Sequence, residues 1–150
     1  MIDILSEDDM RMFGTRLGKL LDGGDTVELI GDVGSGKTTL TKGIAKGMGV
    51  DEDVQSPSFT ISRMYDASRG LTLAHYDFYR LEDAGIMSDE LTEAAHDTRF
   101  VTIIEWASIV AKVLPEDRLV VRFSTPTETS RHLEINGMGE RSRVLLEKMA

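Results

Sequence analysis

The sequence predicts an α/β sandwich, a mixed and mostly parallel central sheet flanked by helices, built as a single domain over residues 1–150. Three observations carry this. Two N-terminal segments repeat apolar residues at helical spacing, short apolar or β-branched runs of strand length recur through the rest of the chain, and a glycine-rich turn joins the first such run to a helix. No repeat, low-complexity tract or linker divides the sequence, and 150 residues suffice for one core.

The elements follow in order. Ser6, with Asp9 three residues later, opens a helix that places Phe13, Leu17, Leu20 and Leu21 on one face and stops at Gly23 and Gly24. Residues 26–30 read as a short buried strand. After the glycine-rich turn, Leu40, Ile44 and Met48 fall one helical turn apart, with Gly47 and Gly49 as stop signals. Strands are then expected over 59–64, 71–76, 100–105, 119–123 and 133–136, and helices over 88–96, 107–113 and 144–149. Asp66, Ser68 and Gly70 lie between the strands near 58–65 and 71–76, which predicts an antiparallel hairpin and hence a mixed sheet.

Composition excludes several functions. With 0 Cys there is no thiol nucleophile, zinc ribbon or iron–sulfur cluster, and the sequence is compatible with a reducing cytosol. A net charge of −9 argues against broad contact with a phosphate backbone or an anionic membrane. The opening residues carry neither a basic n-region nor an apolar h-region, and no window approaches a spanning helix, so a cytoplasmic protein is expected.

The strongest signal is Gly31-Asp32-Val33-Gly34-Ser35-Gly36-Lys37-Thr38, which satisfies the P-loop pattern at each fixed position, with a strand before it and a helix after it. The chemistry explains the residue types. Glycines let the backbone curl so that successive N–H groups of Gly34, Ser35, Gly36, Lys37, Thr38 and Thr39 face phosphate oxygens at a helix N-terminus. Lys37 reaches the β and γ phosphates and the Thr38 hydroxyl ligates Mg²⁺. The guanine-reading Asn-Lys pair is absent, so ATP is favoured over GTP. The fold expectation sharpens to a P-loop NTPase-like sandwich.

Such a site needs acids at the ends of neighbouring strands. Asp77 follows one apolar strand and Glu105 another, at the sheet edge where ligands bind in α/β proteins; each could instead cap a turn or helix. Glu105 is the better metal ligand because its strand is the more plainly buried.

These residues carry a resemblance. The run from Gly31 to Thr39, then Ser56-Pro57-Ser58-Phe59-Thr60, then His75-Tyr76-Asp77-Phe78-Tyr79-Arg80-Leu81, then Ile104-Glu105-Trp106, is similar in order and spacing to the motifs of the TsaE (YjeE) family. That family is the small bacterial P-loop ATPase of tRNA threonylcarbamoyladenosine biosynthesis. The resemblance implies that Lys37 and Thr38 serve phosphate and magnesium and that Thr60 lies in a switch loop sensing the γ-phosphate. It further implies that Asp77 is required for activity, that Glu105 is a magnesium ligand and that Trp106 is the tryptophan beside it. The implied partners are TsaD and TsaB, which would make most of the tRNA contact, with weak hydrolysis by this chain alone. Ser58 stands where threonine is usual, and the segment between Leu81 and Phe100 aligns with no family pattern.

Other residues keep two readings. Arg80 either neutralises phosphate or forms a structural ion pair; Arg131 either approaches the nucleotide or is solvated surface; His75 reads as a core or edge histidine more than a base. Residues 82–97 hold six acids and no Lys or Arg, a solvated face or a docking surface for a basic partner. The scattered Met residues suit core filling. Two other functions compete with the ATPase. A small-molecule kinase would need an acceptor pocket and an arginine-bearing lid for which the chain has little room, and in a nucleotide-dependent binding module Asp77 and Glu105 would be dispensable.

Overall fold

A computed structural model describes residues 2–55, 62–79 and 85–149. Seven strands form one sheet: β1 (Ile2–Ile4), β2 (Thr26–Ile30), β3 (Ser62–Asp66), β4 (Thr72–Asp77), β5 (Phe100–Glu105), β6 (Leu119–Ser124) and β7 (Arg131–Gly137). Their order across the sheet is β1-β7-β6-β2-β5-β4-β3. The four central strands β6, β2, β5 and β4 run parallel, while β3 pairs antiparallel with β4, and β7 antiparallel with both β6 and β1. The predicted hairpin is therefore β3–β4; the expected residues 59–61 of its first strand lie outside the described residues.

Helices α1 (Glu7–Leu20), α2 (Lys37–Gly47), α3 (Gly85–His96) and α4 (Glu140–Met149) flank the sheet. Alternation along the strands sends side chains to both faces. Leu73, Val101 and Ile103 join Phe13, Leu17, Leu40, Ile44 and Leu145 of α1, α2 and α4 in the larger apolar cluster. Ala74, Tyr76 and Ile104 meet Leu91 and Ala94 of α3 on the other face, together with Ala107 and Val110. With both faces covered, the central strands read as continuous apolar runs. Among the described residues, no helix is long and apolar enough to cross a membrane.

Local chemistry sets the helix ends. The Ser6 hydroxyl accepts from the Asp9 N–H at 3.1 Å, and Asp9 accepts in turn from the Leu5 N–H at 3.2 Å, so α1 starts where the sequence signals. α4 starts at Glu140 instead of near 144, with the Ser142 hydroxyl accepting from the Gly139 N–H at 3.0 Å. A second part of the cap is distant in sequence: the Asp117 carboxylate accepts from the Arg141 and Ser142 N–H groups at 2.8 and 3.1 Å. The helix expected at 107–113 is a 3₁₀ segment, kinked at Val110. Its buried Ala107 and Val110 recur every third residue, the repeat of that helix type. β1 goes unforeseen because three residues give no readable period.

The contact that places the P-loop helix is a glycine seam. A Cβ on Gly14 or Gly18 of α1 would stand 2.6 Å from the Leu40 carbonyl oxygen or 2.2 Å from that of Ile44. Reciprocally, one on Gly43 or Gly47 of α2 would stand 2.5 Å from the Arg11 oxygen or 2.2 Å from that of Thr15. The two backbones touch, so Gly47, expected only as a helix stop, serves packing as well.

In an ordinary helix interior Gly18→Ala would stabilise by about 0.5–1 kcal/mol. Here overpacking against backbone reverses the sign, and a net loss of about 1–3 kcal/mol is expected in denaturant unfolding. A stabilised Gly18→Ala variant would contradict the seam.

Candidate functional site

The P-loop leaves β2 at the sheet's centre. Glycines at 34 and 36 adopt φ of +82° and +107°, conformations that oppose a side chain, and a Cβ on Gly31 would come within 2.8 Å of Phe123 Cβ on β6. Gly36 is the N-cap of α2 and no side chain among the described residues caps that end, so the first turn of N–H groups of α2, from Lys37, Thr38 and Thr39, has no side-chain acceptor. The buried Ser35 Oγ has no partner among the described residues. An uncapped helix start, two left-handed glycines and an orphaned hydroxyl together fit an anion.

Lys37 is the centre of the site. It is only 6% exposed, its Nζ donates to the Gly31 carbonyl at 2.5 Å, and it lies 4.0 Å from the centroid of the Trp106 ring. Burial pushes its pKa below the ordinary lysine value, and the carboxylates of Glu105, Asp77 and Asp32 pull it part of the way back. Tyr79 also packs on Trp106, with ring centroids 4.8 Å apart and the planes tilted at 50°. Trp106 itself takes a left-handed backbone, φ 55° and ψ 49°, a strained conformation of the kind that collects at functional sites.

Asp77 and Glu105 are paired in register at the ends of β4 and β5, and Leu29, two residues before the P-loop, pairs with Glu105 from the other side. Both acids are near enough to Lys37 for their charges to act on it. Asp77 is half-buried and its Oδ1 accepts from the Tyr79 N–H at 3.0 Å. Glu105 is buried, and a hydrogen bond of 2.6 Å joins its Oε2 to Nε2 of the fully buried His75. Thr38 and Thr39 are half-buried in the first turn of α2.

The sequence marks His75 as a core or edge histidine more than a base and does not show its bond to Glu105, which depends on the β4–β5 register. It gives Trp106 no chemical role, although the only Trp of the chain directly after an acid at a strand end is the available signal. Arg131 turns out to donate to the Gly34 carbonyl at 3.3 Å. Thr60, with the rest of 56–61, and Arg80 lie outside the described residues.

A profile of the TsaE family, described as threonylcarbamoyl adenosine biosynthesis protein TsaE, matches residues 4–133. This chain belongs to the TsaE family. Relatives named tRNA threonylcarbamoyladenosine biosynthesis protein TsaE agree. The protein of Streptomyces coelicolor is 39% identical over 88% of this chain and 93% of its own length. That of Bacillus subtilis is 36% identical over 85% and 78%, and that of Treponema pallidum 34% over 87% and 95%. The crystal structure of Bacillus subtilis YdiB superposes with a TM-score of 0.82 at 29% identity, over 99% of this chain and 91% of that one.

The electrostatics of Lys37 give a prediction for this TsaE family member. Affinity for inorganic triphosphate, followed by calorimetry from about pH 7 to about pH 11 across the ordinary lysine range, is expected to fall on the alkaline side as Lys37 loses its proton. Glu105→Gln removes the strongest charge holding that proton, so the alkaline edge moves to lower pH. An edge that stays in place, or moves up, contradicts the assignment.

Proposed function

We propose that this chain binds Mg·ATP on its P-loop and hydrolyses it as the ATPase of tRNA threonylcarbamoyladenosine biosynthesis, driving the cycle of a TsaB–TsaD complex. The observation that carries the reading is a buried P-loop lysine flanked by two register-paired acids, in a member of the TsaE family. The family match does not favour a small-molecule kinase.

In this reading the N–H groups of Gly34 to Thr39 and the Lys37 ammonium bind the phosphates, with the Ser35 N–H exchanging the Asp32 carbonyl, and Lys37 the Gly31 carbonyl, for phosphate oxygen. Thr38 Oγ1 and the Glu105 carboxylate are hard oxygen donors of the kind Mg²⁺ takes, with phosphate oxygens and water left to complete its shell. The ion, when bound, neutralises charge that builds on the β and γ oxygens. His75 holds one Glu105 oxygen and so fixes the direction of the other. Asp77 orients the attacking water and accepts its proton. Thr60 couples the γ-phosphate state to partner contact, as the family resemblance implies.

The rest of the reading follows from charge and size. With a net charge of −9, the chain acts on its protein partners in the cytoplasm and leaves tRNA contact to them. We read residues 1–150 as one folding unit, since a single sheet carries both apolar clusters.

Lys37→Ala is expected to abolish ATP binding. Asp77→Ala and Glu105→Ala are expected to keep binding but to lose about a hundredfold or more in hydrolysis. The decisive assay is ATP turnover by the chain alone and after addition of TsaB and TsaD, where a large stimulation is expected. Full rates in both acid variants would sink the catalytic assignments, and transfer of phosphate to a small acceptor without stimulation would favour the kinase.

A further inference from the structure

The end of β6 and the start of β7 stand directly beside the P-loop. Gly31 approaches Phe123 too closely to admit a side chain, Ser124 pairs with His132, and Arg131 pairs with Ile4 at the end of β1. The turn between the two strands is closed on itself. The Ser130 N–H donates to Thr127 Oγ1 at 3.0 Å, and the two hydroxyls lie 2.7 Å apart. Arg131 gathers this turn. Its Nη1 reaches the carbonyls of Ser130, Glu128 and Thr127 at 2.9, 3.1 and 3.3 Å, while Nη2 reaches across to the Gly34 carbonyl at 3.3 Å.

The Gly34 carbonyl and the Ser35 N–H are opposite ends of one planar peptide. The N–H end donates to the Asp32 carbonyl at 3.1 Å, within the loop, and the carbonyl end is held by Arg131. Gly34 has a positive φ and no described residue within 4 Å of where a Cβ would be, so among the described residues no packing on that side fixes the peptide. A P-loop works by turning N–H groups inward, which requires its carbonyls to point outward. A guanidinium anchored by three carbonyls of its own turn is a rigid post for one of them.

We infer that Arg131 is a positioning residue of the P-loop: by tying the β6–β7 turn to the Gly34 carbonyl it holds the loop in its phosphate-receiving shape and thereby sets nucleotide affinity. The inference rests on the nucleotide reading above. It assigns Arg131 no part in bond breaking, because its contacts are to backbone carbonyls on the β6 side of the loop, whereas Asp77 and Glu105 lie on the β5 side.

The test measures Mg·ATP affinity by calorimetry, hydrolysis at saturating ATP and thermal midpoint, for the full chain and its variants. Arg131→Ala is expected to weaken binding about tenfold, the scale of one lost charge-assisted hydrogen bond, with the saturated hydrolysis rate kept. Arg141→Ala, which removes an ion pair to Asp25 and a bond to the Gly23 carbonyl away from the P-loop, is the stability control and should leave affinity unchanged. Arg131→Lys keeps the charge, but one nitrogen cannot span the turn and Gly34, so it too should bind weakly; it decides the matter if Arg131→Ala does not fold. Wild-type affinity in a folded Arg131 variant overturns the inference while the ATPase reading stands, and so does a loss of saturated rate as large as the loss of affinity. A wild-type chain that binds no Mg·ATP overturns the underlying reading, and this inference with it.

Discussion

A buried ammonium is the constraint around which this molecule is arranged. A cation removed from water is costly unless it is paired or hydrogen-bonded, and the fold meets that need with parts from four elements. β2 runs into Gly31, whose carbonyl accepts a hydrogen bond from Lys37; β5 runs into Trp106, whose ring face receives the cation; β4 and β5 bring Asp77 and Glu105. α2 carries the lysine itself as its first residue. In the proposed reading Lys37 exchanges the Gly31 carbonyl and the Trp106 ring face for phosphate oxygen, while Asp77 and Glu105 stay in place at the strand ends.

The precision of that arrangement depends on helix placement. α2 leaves the P-loop with no side-chain cap among the described residues and touches α1 backbone to backbone through glycines on both helices. An error in that seam would shift Lys37 and Thr38 together, since both lie in the first turn. The opposite side of the loop is bounded by β6, where Gly31 admits no side chain and Arg131 spans to Gly34. The site is therefore held by contacts that are mostly backbone and differ in kind on each side: close packing at the helix, register at the acids, one guanidinium at the turn.

Much of this was legible in the sequence, for physical reasons that differ by element. The P-loop was readable because its chemistry demands fixed residue types at fixed spacing, and β5 because it is a continuous apolar run covered on both faces. The hairpin β3–β4 was marked by its turn residues. What escaped were features that depend on residues distant in the chain. The His75–Glu105 bond requires the β4–β5 register, part of the α4 cap comes from Asp117 more than twenty residues upstream, and the glycine seam looks like helix punctuation until two helices are brought together. In the sequence the 3₁₀ segment reads as an ordinary helix because apolar residues at a spacing of three suit either type over so short a span.

The central claim is that Lys37 waits in the place where a nucleotide's phosphates will take it over. The most direct measurement is a crystal structure of the chain with Mg²⁺ and a non-hydrolysable ATP analogue. The account predicts that Lys37 Nζ leaves the Gly31 carbonyl and the Trp106 face for phosphate oxygen, with the N–H groups from Gly34 to Thr39 around the same phosphates. A nucleotide bound elsewhere, with Lys37 still on Gly31, would contradict it.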